Sequence, residues 1–263
     1  MGQRKLFNLT LNPLLDKEQI LTRQARSKCL LDDLITLNEL KIILKEIKDI
    51  ERLAVKILNF QASPKDLIIL KASLEACINI HSNPVAAWPK QYYSKHQEIL
   101  DVINKLQGLI ATEPKNISNT GFIFKEDYNQ DLSSLRNLVL NSKEELAKMQ
   151  KSEIENTGIN ALKIKYNKVF GYFLEVPKSK AETLNQEKYV IKQNLVNATR
   201  FITEELKVLE VKIISANDKM VELERKLFEE LLHNLASDVK IIQNLAETIA
   251  KIDLWVNFAN LAA

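Results

Sequence analysis

Residues 162–173 read LKIKYNKVFGYF. Leu162, Ile164 and Tyr166 alternate with Lys163, Lys165 and Asn167, and on a strand successive side chains point to opposite faces. The stretch therefore predicts a strand with one apolar and one basic face. Asn tolerates positive φ, so Asn167 and Lys168 can turn the chain and let Val169 to Val176 run back as a second strand. One or two further strands fit within Tyr189 to Arg200.

On either side of this region the pattern changes to helix. Leu132, Leu135, Val139, Ser142, Leu146, Met149 and Glu153 follow a three-four spacing, as do Leu206, Leu209, Ile213, Ala216, Met220, Leu223 and Leu227. Such seams belong to paired helices. At 1.5 Å per residue, Asp131 to Asn156 and Thr203 to Leu231 would each reach about 40 Å. The first half reads as shorter helices at Pro13 to Asp33, Leu34 to Ile47, Ile50 to Phe60, from Ser63 onward, and Gln91 to Ala111. Ser63, Pro64 and Asp66 mark one start, Thr203 with Glu204 and Glu205 another, and Ser237 with Asp238 the last. The segment His81 to Lys90, with Pro84 and Pro89, breaks the pattern, and Phe122 to Phe124 reads as a short strand in a surface connection.

The resulting fold class is mainly α: a multi-helical core with a long antiparallel helix pair that carries a small inserted antiparallel β-sheet at its tip. Its parts divide as 1–150, core and first long helix; 151–204, the inserted sheet; and 205–263, the return helix and end of the core. The 263 residues hold five glycines and six prolines, with 46% apolar and 27% charged residues, values of a globular chain rich in helix. No run of about 18 apolar residues occurs, and MGQRKLFNLTLNPLLDK lacks a signal-peptide core, so a cytoplasmic location is expected.

Cys29 and Cys77 lie in apolar helical contexts without a CxxC or a histidine pair, and both are expected to be buried and reduced. His81, His96 and His233 are scattered, with no nucleophile or metal-ligand spacing nearby. No GxxxxGK[ST] loop occurs to cradle nucleotide phosphates. The chain is therefore expected not to be an enzyme by itself and to hold no cofactor.

Charge gives a positive lead. The chain carries +3, yet residues 158–200 contain eight bases and three acids, a local +5 that leaves −2 elsewhere. A basic sheet on a rigid arm suits a phosphate backbone. Outward lysines also keep any exposed sheet soluble and unpaired at its edges, and charge alone does not separate these readings. Tyr166, Phe170, Tyr172, Phe173, Tyr189 and Phe201 are expected to pack a small core, with base stacking as the alternative.

The residues TGINALKIKYNKVFGYFLEV, followed by YVIKQNLVNATRFITEELKVLE, resemble the clamp and lever helices of the bacterial MutS mismatch-repair family. The family pattern runs TGI-x-x-LKV-x-YN-x-VFGYY-x-EV and then QTL-x-NAERFIT-x-ELKE. LNPLLDKEQI, DIERLAVKILNFQASPKDLIILKASLEA, TGFIFKEDYN and LAETIAKIDLWVNFANLAA are similar to that family's core, so the resemblance spans nearly the whole chain. It implies a core, lever and clamp segment, with ATP and Mg2+ bound elsewhere in a parent protein that contacts double-stranded DNA and forms a dimer. The inserted sheet argues for the mismatch-repair branch over paralogues that lack a clamp.

Carried over by motif, the DNA-binding candidates are Asn167 from the YN turn and Asn197 and Arg200 from the NAxR segment, with Lys192 and Gln193 beside them. Lys163, Lys165 and Lys168 join them from the basic strand face. The sequence departs from the family at Val196, where a base is usual, and at Thr199, where an acid is usual. The competing class is a coiled-coil scaffold whose β tip docks a protein partner.

Overall fold

A computed structural model describes residues 1–82, 95–109, 123–185 and 187–263. Within these residues lie the helices α1 (Gly2–Leu11), α2 (Lys17–Leu31), α3 (Leu34–Glu46), α4 (Ile50–Leu58), α5 (Pro64–Ser82), α6 (His96–Lys105) and α7 (Gln130–Thr157). They are followed by β1 (Lys163–Asn167), β2 (Gly171–Pro177), α8 (Lys178–Ala181), β3 (Val190–Asn194), β4 (Ala198–Ile202), α9 (Glu204–Ala236) and α10 (Val239–Ala262). The break expected through Pro84 and Pro89 lies outside the described residues from position 83 onward. Of the strand expected at Phe122 to Phe124, residue 122 lies outside them, and Phe124 makes a single bridge to Leu109.

The chain forms two compact units, Met1–Lys125 with Arg225–Ala263, and Glu126–Glu224. The sequence division at 150 and 204 follows the sheet alone, whereas the second unit also contains α7 and the start of α9.

Among the described residues, the regular structure of the first unit is helix apart from that bridge. α10 is its centre: Ile242, Leu245, Ile249, Ile252, Leu254, Trp255 and Val256 are all buried, an apolar surface too broad for one neighbour. α1, α2, α3 and α4 pack on it. Local sequence starts these helices. Asp16, Asp33 and Asp49 accept from the backbone N–H of Gln19, Thr36 and Arg52. At α5 the hydroxyl of Ser63 accepts from Asp66 N–H at 3.2 Å, while Asp66 accepts from Ser63 N–H at 2.9 Å, a reciprocal cap. At α10 the expectation changes: Asp238 occupies the cap without a side-chain cap bond and instead pairs with Lys105 at 2.6 Å. α1 was not anticipated. It has no side-chain cap, and tertiary contacts hold it: Gly2 N–H donates to Asp253 at 2.9 Å, and Arg4 bonds both carboxylate oxygens of Asp49 at 2.7 Å.

The second unit joins helices and sheet through one core of Leu146, Leu206, Leu209 and Ile213 with Leu162, Leu174, Val176, Leu184, Tyr189 and Phe201. Along α7 the buried set is Leu132, Arg136, Val139, Ser142, Leu146 and Glu153. Arg136 thus replaces Leu135, which is half-buried. On α9, Leu206, Leu209, Ile213, Ala216 and Met220 face inward as expected, but Glu224 follows them in place of Leu223. On α7 the change is local, because Val139, Ser142, Leu146 and Glu153 return to the expected seam positions. Arg136 and Glu224 meet at 2.5 Å with side chains only 6% and 2% exposed. With Arg136 opposite Glu224 and Leu146 sharing a core with Ile213, the helices run antiparallel.

The sheet order is β1-β2-β4-β3, antiparallel throughout. The first hairpin closes through residues 168–170, a longer turn than Asn167-Lys168 alone. Positive φ falls on Gly171 at 72°, while Asn167 stays in the strand and its side-chain oxygen accepts from Val169 N–H at 2.8 Å. This is the three-residue loop with glycine in the left-handed position. Cys77 is buried and Cys29 only half-buried, which corrects the expectation for Cys29. Among the described residues no helix is long and apolar enough to cross a membrane.

Candidate nucleic-acid interface

The alternation read in β1 persists across the sheet. Ile164 lies opposite Leu174, which lies opposite Phe201, and these fall on the face that covers the helices. On the other face Lys163 pairs with Glu175, Glu175 with Arg200, and Arg200 with Gln193, one residue from each strand. Three candidates, Lys163, Gln193 and Arg200, therefore stand in a single row. Lys165 occupies the adjacent row opposite Phe173.

Arg200 is the most constrained member. Its Nη1 donates to Gln193 Oε1 at 2.8 Å, its Nε faces Glu175 Oε2 at 3.5 Å, and its guanidinium lies 4.4 Å from the Phe173 ring centroid. Cation and ring attract in this geometry, which accounts for an aromatic side chain buried on the basic face. Lys165 Nζ donates to the other oxygen of Glu175 at 2.6 Å. The Lys165 hydrogen bond, with Arg200 adding to it, holds the Glu175 carboxyl below the usual carboxylate range.

The remaining candidates are spread out. Lys163, Lys168 and Lys192 are exposed, and among the described residues none of them has an ion pair. Lys192 is the extra residue at an irregularity where the β3 register shifts between Ile191 and Gln193. Asn167 pairs with Gly171 at one end of β2, whereas Pro177 at the other end pairs with Ala198 next to Asn197. The two asparagines are thus at opposite ends of the sheet, roughly 20 Å apart at 3.3 Å per residue. The surface is a strip along one face and not a single pocket, a form suited to an extended polyanion.

Two neighbours of the strip were not anticipated in these roles. Glu175 counted only as an acid, and Phe173 only as core. The parity of β2 carried the signal, since Phe173 and Glu175 alternate with the inward Leu174 and Val176. Assigning them to the basic face needs the length of the turn. Of the other aromatics, Tyr189 and Phe201 are buried, and Tyr166 is exposed with its ring 5.0 Å from Tyr172.

Lys188 does not contribute to the strip. It donates to buried Glu153 at 2.8 Å, and this hydrogen bond raises its pKa. The Tyr189 hydroxyl donates to the second Glu153 oxygen. Burial first, and that hydrogen bond second, push the Tyr189 phenol up to about 12. The trio fastens the segment before β3 to α7. Among the described residues no group of three His, Cys, Asp or Glu side chains converges as a metal site would require.

Comparison with known proteins identifies relatives of the chain. Residues 127–219 match the model for MutS family domain IV. The whole chain aligns with the DNA mismatch repair protein MutS of Thermosipho melanesiensis at 36% identity, over 32% of that protein's length. It also aligns throughout with the same-named proteins of Caldanaerobacter subterraneus, 37% identical over 30% of its length, and Fusobacterium nucleatum, 36% identical over 29%. The chain thus spans about a third of the length of these curated relatives.

Proposed function

The chain belongs to the MutS family, as the segment that carries its domain IV, and on that premise we propose that its sheet is a clamp for the backbone of double-stranded DNA. The supporting observation is the row Lys163, Arg200 and Gln193 on the face turned away from the helices, where cations and neutral donors can meet phosphates without reading bases. Asn167, Lys168, Lys192 and Asn197 extend the strip to its ends. The helix pair acts as a lever, and α9 is its output, because one continuous helix runs from the clamp unit into the core unit. In the parent protein, ATP and Mg2+ act in a separate domain and two copies assemble on DNA, while the chain alone hydrolyses no nucleotide.

The test is a titration of a labelled duplex at several salt concentrations. Each phosphate neutralised contributes about −0.9 to the slope of log K against log salt. Arg200→Ala combined with Asn197→Ala should weaken binding and make that slope shallower by about 1. Salt-independent binding, or binding indifferent to the double substitution, excludes backbone contact.

A second reading has one observation in its favour. Val169 and Val196, in the hairpin turns at opposite ends of the sheet, are 80% and 86% exposed, and each turn offers one apolar contact to a protein partner. Val169→Lys with Val196→Lys separates the readings, since added charge strengthens DNA binding and disrupts an apolar docking contact.

A further inference from the structure

We propose that Glu175 is a positioning residue for the DNA-facing strip, and that it holds Lys165 and Arg200 at a fixed spacing ready for adjacent phosphates. The inference rests on the reading of the sheet as a DNA clamp.

A carboxylate in the middle of a surface meant for a polyanion is repulsive by simple Coulomb reasoning, so its placement needs a reason. Glu175 sits on β2, between Lys165 on β1 and Arg200 on β4, and each of its oxygens faces one cation, at 2.6 Å and 3.5 Å. Gln193 takes the Nη1 of Arg200 from the far side, and Phe173 lies against its plane. Three supports from three directions fix a side chain that otherwise has many rotamers. Nε and Nη1 are engaged by protein, and the Nη2 donors have no protein partner among the described residues, so Nη2 is left to meet a ligand oxygen.

Lys165 stays about half exposed, with a side-chain accessibility of 48%, so a phosphate can reach its ammonium while Glu175 still holds it. Glu175 itself stays charged at neutral pH, because Lys165 and then Arg200 hold its proton affinity down. Preorganised donors bind more tightly because less freedom is lost at contact.

The two ideas about Glu175 differ in sign. If the carboxylate only repels DNA, both Glu175→Ala and Glu175→Gln bind more tightly than wild type. If it positions the cations, Glu175→Ala binds roughly two- to tenfold more weakly despite losing a negative charge. Glu175→Gln, which keeps an oxygen acceptor, then binds at least as tightly as wild type. The experiment is duplex titration of the wild-type chain and both variants at a low and a high salt concentration, with circular dichroism to verify the fold. Alongside it, the 15Nε–1Hε signal of Arg200 is followed by NMR without DNA. Slow exchange in wild type and Glu175→Gln, with fast exchange in Glu175→Ala, supports positioning. Unchanged or tighter DNA binding by Glu175→Ala, or an Arg200 signal indifferent to the substitution, overturns it. A wild-type chain that shows no salt-dependent binding points instead to failure of the clamp reading, an outcome the NMR arm keeps distinct.

Discussion

At the scale of single residues, the second unit buries polar side chains whose protonation can be followed, among them those that meet at Glu153. Tyr189 gives a measurable example. Its phenol titrates at about 12 in the folded chain against 10.0 ordinarily, so the folded state keeps a proton that the unfolded state has lost. Stability from this group is fully present below about pH 10 and is lost as pH rises through 12, a change of about 3 kcal/mol. Thermal melts between pH 9 and 12 should show a steeper decline for wild type than for Tyr189→Phe, which lacks the titrating proton. Parallel curves would show that Tyr189 is not the group responsible. Sequence reading reached this scale unevenly. Asn167 and Arg200 entered through the YN and NAxR motifs of the family resemblance, and the structure puts Asn167 at the end of β1 and Arg200 within β4. The Glu153 trio was not legible, since it joins residues 35 and 36 positions apart that nothing local connects.

Among elements, legibility followed periodicity. The period-two alternation of β1 and the caps at Ser63 and Thr203 are local, and the structure keeps them: Thr203 accepts from Leu206 N–H at 3.2 Å. The helix seams were legible in outline and differ by one position at Arg136 and Glu224, where the two side chains form an ion pair across the helices that an apolar template does not foresee. That pair lies inside the seam. Removing one partner of a buried pair strands the other, at a cost of about 3–5 kcal/mol. Arg136→Leu should therefore lower the unfolding free energy by that amount in a denaturant titration, while Arg136→Leu with Glu224→Leu should recover most of the loss. A double variant no more stable than the single would show that the pair does more than satisfy its own charges. α1 stayed illegible because its determinants, Asp253 and Asp49, lie far along the chain.

For the whole molecule, the division into two units makes a prediction about autonomy. The unit of residues 126–224 is continuous in sequence and has its own core, from Leu146 through Ile213, so it should fold when expressed alone. Circular dichroism should show mixed helix and strand, and its DNA affinity and salt slope should match those of the whole chain. A disordered product would mean that the sheet depends on the helical unit. The first unit is built from two distant stretches, and its core needs both. Sequence reading recognised the insertion but could not see this asymmetry, because compactness depends on contacts that composition does not record. The irregularity at Lys192 also guards the molecule against self-association. β3 is an edge strand carrying half-exposed Val190 and Ile191, and a straight apolar edge invites ladder formation between copies. An extra lysine at a kink spoils the template, so the tip can be held out at high concentration without seeding strand-to-strand aggregates.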